Sequence, residues 1–178
     1  MLKPGNQHKC NLVSVLDGDT LELNFEGETF KARLQWIDAP EVRKKFQNST
    51  EPKILEHWSY GDLAKTALIN LLANKPIIII PVLLDIYGRW IVDCYVEKVS
   101  LKTNIQVELC KLGMAVSYYL PTERYEYSDR ELDILLNIIK QTALSNRAKL
   151  GFWNSKDIIF PHDFRQLIKK TDKTVEVK

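Results

Sequence analysis

The run NLVSVLDGDTLELNFEGETFKARLQWID, residues 11 to 38, decides the fold. Its first six residues are β-rich, with Leu12 and Leu16 flanking β-branched Val13 and Val15. Asp17-Gly18-Asp19 then reads as a tight turn, because Asp and Gly supply the backbone conformations a hairpin needs. From Thr20 to Phe25 the pattern alternates, with Leu21, Leu23 and Phe25 on one face and Thr20, Glu22 and Asn24 on the other. Glu26-Gly27-Glu28 is a second turn, and Thr29 to Ile37 a third strand with Phe30, Ala32, Leu34 and Trp36 on one face. The stretch is a three-stranded meander.

Outward from it, residues 42–58 lose all periodicity and read as a long exposed loop. Tyr60 to Asn74 is helical, with Leu63, Ala67, Leu68, Leu71 and Leu72 at helical spacing and Pro76 beyond the end. Ile77 to Leu83 and Trp90 to Val96 are strands joined by Asp85-Ile86-Tyr87-Gly88-Arg89. Thr103 to Leu112 is a short helix closed by Gly113. Asp129 to Leu150 is a longer one, started by Ser128 with Glu131 as a capping box, and its apolar stripe is Leu132, Leu135, Leu136, Ile139, Ala143 and Leu144. The order predicts a mainly β, α+β fold: a five-stranded, OB-fold-like barrel with three helices, since closure removes exposed strand edges. A flat five-stranded sheet is the alternative that pattern leaves open. Residues 1–168 read as one domain and 169–178 as a polar tail that frays.

With 178 residues and 45% apolar content, the chain can bury a core without disulfides. Cys10, Cys94 and Cys110 are too few and too scattered for a disulfide framework or a zinc site. No apolar run reaches membrane-spanning length, and the N-terminus carries no apolar signal core, which leaves a cytoplasmic protein or a mature exported product. A formal charge of +2 excludes an argument for nucleic-acid binding from bulk charge, so any such function rests on where the charges sit.

They gather at strand ends. Asp19 begins the second strand and Asp38 ends the third, so the hairpin brings both to one end of the sheet, with Glu41 three residues on. Such an oxygen-rich group suits a hard cation, with backbone carbonyls such as that of Ala39 able to complete the shell. Taken singly, each Asp is more often a turn former than a ligand, by about three to one. Arg33 on the third strand is either a salt-bridge partner of these acids or a phosphate clamp, because a planar guanidinium matches two phosphate oxygens at once. Arg89 follows a Tyr-Gly turn at a strand start, which puts it at a barrel rim. His8, His57 and His162 have no ligand spacing and receive no role.

Asp17-Gly18-Asp19-Thr20, then Arg33-x-x-x-x-Asp38-x-Pro40-Glu41, then Asp85-x-Tyr87-Gly88-Arg89 resembles the signature set of the staphylococcal nuclease-like family. Tyr60-Gly61-x-x-Ala64, Leu112-Gly113-x-Ala115, Ala148-x-x-Gly151-x-Trp153 and Pro161-x-x-Phe164-Arg165 are similar to further family segments, so the resemblance spans about residues 10 to 165. It implies that Asp19, Asp38 and the Ala39 carbonyl hold Ca²⁺ and that Glu41 holds or deprotonates the attacking water. Arg33 and Arg89 would bind the scissile phosphate, Tyr87 would contact phosphate and sugar, and Tyr119 or Tyr118 would stack on a base. The implied activity is Ca²⁺-dependent, sugar-nonspecific hydrolysis of DNA and RNA, preferably single-stranded, leaving 3′-phosphate ends, by a monomer. A catalytically silent module that binds nucleic acid or protein is the competing expectation. Ala39 stands where the family commonly has threonine, which removes a hydroxyl from the site but keeps the carbonyl.

Overall fold

The Asp-Gly and Glu-Gly turns fold the N-terminal stretch into the expected antiparallel meander of β1 (His8–Val15), β2 (Thr20–Phe25) and β3 (Glu28–Leu34). The computed structural model describes residues 1–45, 47–119 and 127–175, with side chains as far as Lys169. After β3 come β4 (Ile37–Asp38), α1 (Pro52–Leu72), β5 (Ile77–Leu84), β6 (Trp90–Val96), α2 (Ile105–Lys111), β7 (Val116–Ser117), α3 (Asp129–Arg147) and α4 (Pro161–Val175). Five strands close a barrel in the order β1-β2-β3-β6-β5, with β3 and β6 parallel and the other neighbours antiparallel. The α+β barrel is therefore as expected, and the flat sheet is excluded. No helix among the described residues is long and apolar enough to cross a membrane.

Leu21, Leu23, Ala32, Leu34, Ile79, Val92 and Cys94 are buried at 0–1% exposure and fill the barrel. Burying each large aliphatic among them contributes roughly 1.5–3 kcal/mol of transfer free energy. Ala64, Leu68 and Leu72 of α1, with Ile105 and Leu109 of α2 and Ile134 and Ile138 of α3, extend the same core outward. Cys10, Cys94 and Cys110 are free thiols, all buried.

Four corrections to the sequence reading concern how the barrel is dressed. The third strand does not run to Ile37: it stops at Leu34, Trp36 takes a left-handed φ of 62°, and β4 leaves the barrel to pair with β7. Helix α1 begins at Pro52, not Tyr60, so residues 52–58 of the loop assigned to 42–58 are helix. Its first turns bury Ile54, His57 and Trp58, positions whose polar neighbours hid the period. A fourth α-helix was missed. α4 lies in a mixed segment, and its buried face of Phe164, Leu167 and Ile168 packs on Ile54 and Trp58 in a cluster separate from the barrel core. It takes in residues 169–175 of the segment expected to fray. Finally, α3 turns Glu131, Ile134, Ile138 and Ser145 inward and leaves Leu132, Leu136, Ile139 and Leu144 at 41–63% exposure. The capping box of Ser128 and Glu131 forms as predicted.

Candidate active site

Arg33 points outward from the barrel wall, between the inward Ala32 and Leu34. On an unbroken strand Asp38, five residues on, would lie roughly 16 Å away on the opposite face. The left-handed turn at Trp36 reverses this. Arg33 donates from one terminal nitrogen to Asp38 Oδ1 at 2.8 Å and to the Ile37 carbonyl at 3.3 Å, and from the other to Asp19 Oδ1. Asp19 Oδ2 accepts from the Ala39 backbone N–H at 2.8 Å, and Thr20 Oγ1 donates to Asp19 Oδ1 at 3.0 Å. The β1–β2 turn and the segment that follows β3, at the same end of the sheet, are thereby locked together through one carboxylate. Asp19 and Asp38 are 2% and 0% exposed. Burial holds the Asp19 carboxyl well above its ordinary range; Arg33 opposes that effect, while Asp17 and Asp38 add to it.

Glu41 is brought in by backbone contacts. His57 Nε2 accepts from the Glu41 N–H at 3.0 Å, so its other ring nitrogen carries the proton, and that edge bonds the Ile159 backbone. The imidazole is 5% exposed and stacks on Phe164 at 3.7 Å. Burial lowers its pKa to about 4, which keeps it neutral and able to accept. Gly61 lies against the same backbone: a Cβ there would stand 2.2 Å from the Glu41 carbonyl oxygen. A Cβ on Gly18 would likewise meet those of Ala39 at 2.6 Å and Ala64 at 2.7 Å. The glycines of the Asp-Gly-Asp and Tyr-Gly-x-x-Ala motifs thus let α1 lie close under the site.

Arg165, absent from the predicted set of site residues, completes the cluster. Its two terminal nitrogens reach Asp38 Oδ1 and Oδ2, and one of them also reaches Glu41 Oε1, each at 2.8 Å. The sequence signal was there in Pro161-x-x-Phe164-Arg165 and in the apolar spacing of Phe164, Leu167 and Ile168. His57 was missed for a different reason: its role is to fix a neighbour's backbone, and no local pattern reports that.

The predicted residues divide into two groups. Arg33, Asp19, Asp38, Ala39 and Glu41 are brought together. Arg89 bonds none of these acids among the described contacts; it pairs with Asp85 at 2.8 Å and sits over the Tyr87 ring at 5.5 Å. The parallel register Ala32↔Trp90 and Arg33↔Ile91 nevertheless puts its backbone roughly 8 Å from that of Arg33, on the same outer face. Tyr87 is 76% exposed. Tyr118 follows β7, donates its N–H to the Trp36 carbonyl at 2.8 Å, and meets His162 of α4 through its hydroxyl at 3.1 Å. Tyr119 is exposed, with its hydroxyl 3.3 Å from that of Tyr127.

The donors in this group are oxygens, which fit a hard cation and not zinc. Every carboxylate of the three is bridged by guanidinium, and among the described residues no three acidic, His or Cys side chains are arranged as an open metal site.

The structure thus sets buried acids and arginines at the rim of a small, OB-fold-like closed barrel. The family model described as "Staphylococcal nuclease homologue" matches residues 31–155, and the chain belongs to that family. The uncharacterized protein MJ1439 of Methanocaldococcus jannaschii is 31% identical, with 80% of this chain and 70% of that one covered. A probable endonuclease, LCL3, of Vanderwaltozyma polyspora is 32% identical over 80% of this chain and 46% of its own length. A micrococcal nuclease of Shigella flexneri is 25% identical over 89% and 80%. The chain is thus nuclease-like, and nucleic acid is the substrate class its family implies.

Proposed function

We propose that the protein is a Ca²⁺-dependent, sugar-nonspecific nuclease that hydrolyses phosphodiester bonds of DNA and RNA, preferring single strands and leaving 3′-phosphate ends. The observation that carries this is the convergence of Asp19, Asp38 and Glu41 on a shared pair of guanidinium groups beside the barrel wall. Acids concentrated at that point would repel phosphate unless a cation joins them.

Asp19, Asp38 and the Ala39 carbonyl are the groups that would hold Ca²⁺, whose charge would there offset that of the phosphate and lower the pKa of water. Glu41 orients the attacking water and takes its proton; His57 and Gly61 support this role by fixing the Glu41 backbone. Arg33 and Arg89 grip the scissile phosphate and meet the charge that builds on its oxygens, for which Arg89 must exchange Asp85 for phosphate. Tyr87 packs against phosphate and sugar, and Tyr118 or Tyr119 stacks on a base. Such a site reads backbone and ring faces, not base edges, which is why no sequence or sugar specificity is expected. The groups named all come from one chain, so the proposed chemistry calls on no partner subunit and a monomer suffices.

The test is incubation with labelled single-stranded DNA and RNA, with CaCl₂ or with chelator. Cutting that requires Ca²⁺ supports the proposal. Tight binding with no cutting in any condition points to a silent binding module and overturns it.

A further inference from the structure

We infer that Arg165 is the resident counter-ion of the carboxylate cluster, the group a divalent cation must displace in order to bind. This rests on reading the cluster as a cation site.

Arg33 and Arg165 hold the same acids in different ways. Arg33 comes from the barrel wall and is 17% exposed. It reaches Asp19 and one oxygen of Asp38 from the protein side. Arg165 arrives from α4, 127 residues along the chain, and is 31% exposed. It covers both oxygens of Asp38 and one of Glu41. With the guanidinium fork in place, a cation approaching Asp38 from solvent meets positive charge instead of lone pairs.

Formal charge gives the same answer. Three carboxylates against two guanidinium groups leave one net negative charge. A divalent cation added on top would make the buried cluster net positive, at a steep desolvation cost. If Arg165 leaves as the cation enters, the three acids balance Arg33 and the cation.

The anchorage of α4 allows that exchange. Phe164 and Ile168 pack with Ile54 and Trp58 in their own cluster, not in the barrel core. A shift of α4, or a swing of the Arg165 side chain alone, leaves the barrel closed. Helix α4 also meets Tyr118 through His162, so one element spans the acidic and aromatic sides of the site.

The experiment is calorimetric titration of CaCl₂ into the full chain as wild type, Arg165→Gln and Arg165→Lys, with the Ca²⁺-induced shift in Tm as a second readout. Arg165→Gln is expected to bind Ca²⁺ roughly tenfold or more tightly than wild type, since the α4 guanidinium then no longer competes for Asp38 and Glu41. Its Tm without cation should be lower, and its rise on adding Ca²⁺ larger. Arg165→Lys keeps the charge but loses the fork and should fall between; it carries the comparison if the Gln variant folds only with Ca²⁺. Binding by wild type with equal or weaker binding by the variants overturns the counter-ion role and leaves the Ca²⁺ site standing. Absence of binding in all three proteins overturns both.

Discussion

Two buried acid–arginine clusters lie on this barrel, and they are built to opposite ends. On β6, Asp93 is 0% exposed and bonds Arg130 of α3 at 2.5 Å, and Arg130 also donates to the Tyr95 hydroxyl at 2.7 Å. Gln106 of α2 bonds the Cys94 N–H and the Val92 carbonyl beside it. This group ties α2 and α3 to the barrel wall. At the rim, Asp19, Asp38 and Glu41 share Arg33 and Arg165, so acids outnumber bases and one of the two bases comes from a separately anchored helix. A matched cluster is a tie between elements. An acid-rich one, held in part by a helix outside the barrel core, is the arrangement from which the counter-ion role of Arg165 is inferred.

The contrast breaks most sharply at Arg130. Arg130→Met should destabilise the fold by about 3–5 kcal/mol, because it removes the guanidinium that balances the buried Asp93 charge. Ca²⁺ affinity should be unchanged; urea unfolding and calcium titration check the two halves. Arg33→Ala or Glu41→Gln should lower the nuclease rate ~10²–10³-fold at saturating Ca²⁺ while circular dichroism stays native. A near-normal rate in either variant removes that residue from the mechanism.

His57 sharpens the comparison through pH. Its folded pKa of about 4 lies below the ordinary 6.5, so the unfolded chain binds a proton that the folded one refuses. Stability from this group is full above pH 6.5 and is lost as pH falls toward 4, by up to about 3 kcal/mol. Replacing it, as His57→Gln, should flatten that part of the Tm-against-pH curve. The smallest effect is expected from Gly61→Ala, about 1–3 kcal/mol of overpacking against the Glu41 backbone. Its activity loss should exceed what the lowered stability explains; an equal loss would make Gly61 a packing residue only.

Much of the rim cluster was legible in the chain. Asp19, Arg33, Asp38, Ala39 and Glu41 sit in short motifs at strand ends, where turn chemistry and the hairpin order gather them at one end of the sheet. What was not legible depends on distant partners. Alternation alone would have thrown Asp38 to the wrong side of Arg33, and only the left-handed Trp36 returns it. The stripe of α3 was misread because Leu132 and Leu136 are as apolar as Ile134 and Ile138, and only the neighbouring surface selects the buried face. Arg165 escaped because it reaches Asp38 across 127 residues.

By itself, then, the sequence determined the meander, its turns, and the positions of the acids and of Arg33 along it. These follow from period-two burial and from Asp and Gly at turns, which are local properties. Closure of the five strands into a barrel was settled by the tertiary structure. Tertiary structure alone decided that His57 would hold the Glu41 backbone, that Arg89 would rest on Asp85, and that a guanidinium from α4 would close over Asp38 and Glu41. Those pairings are electrostatic contacts between remote segments. Their partners are chosen by packing, which no window of sequence contains.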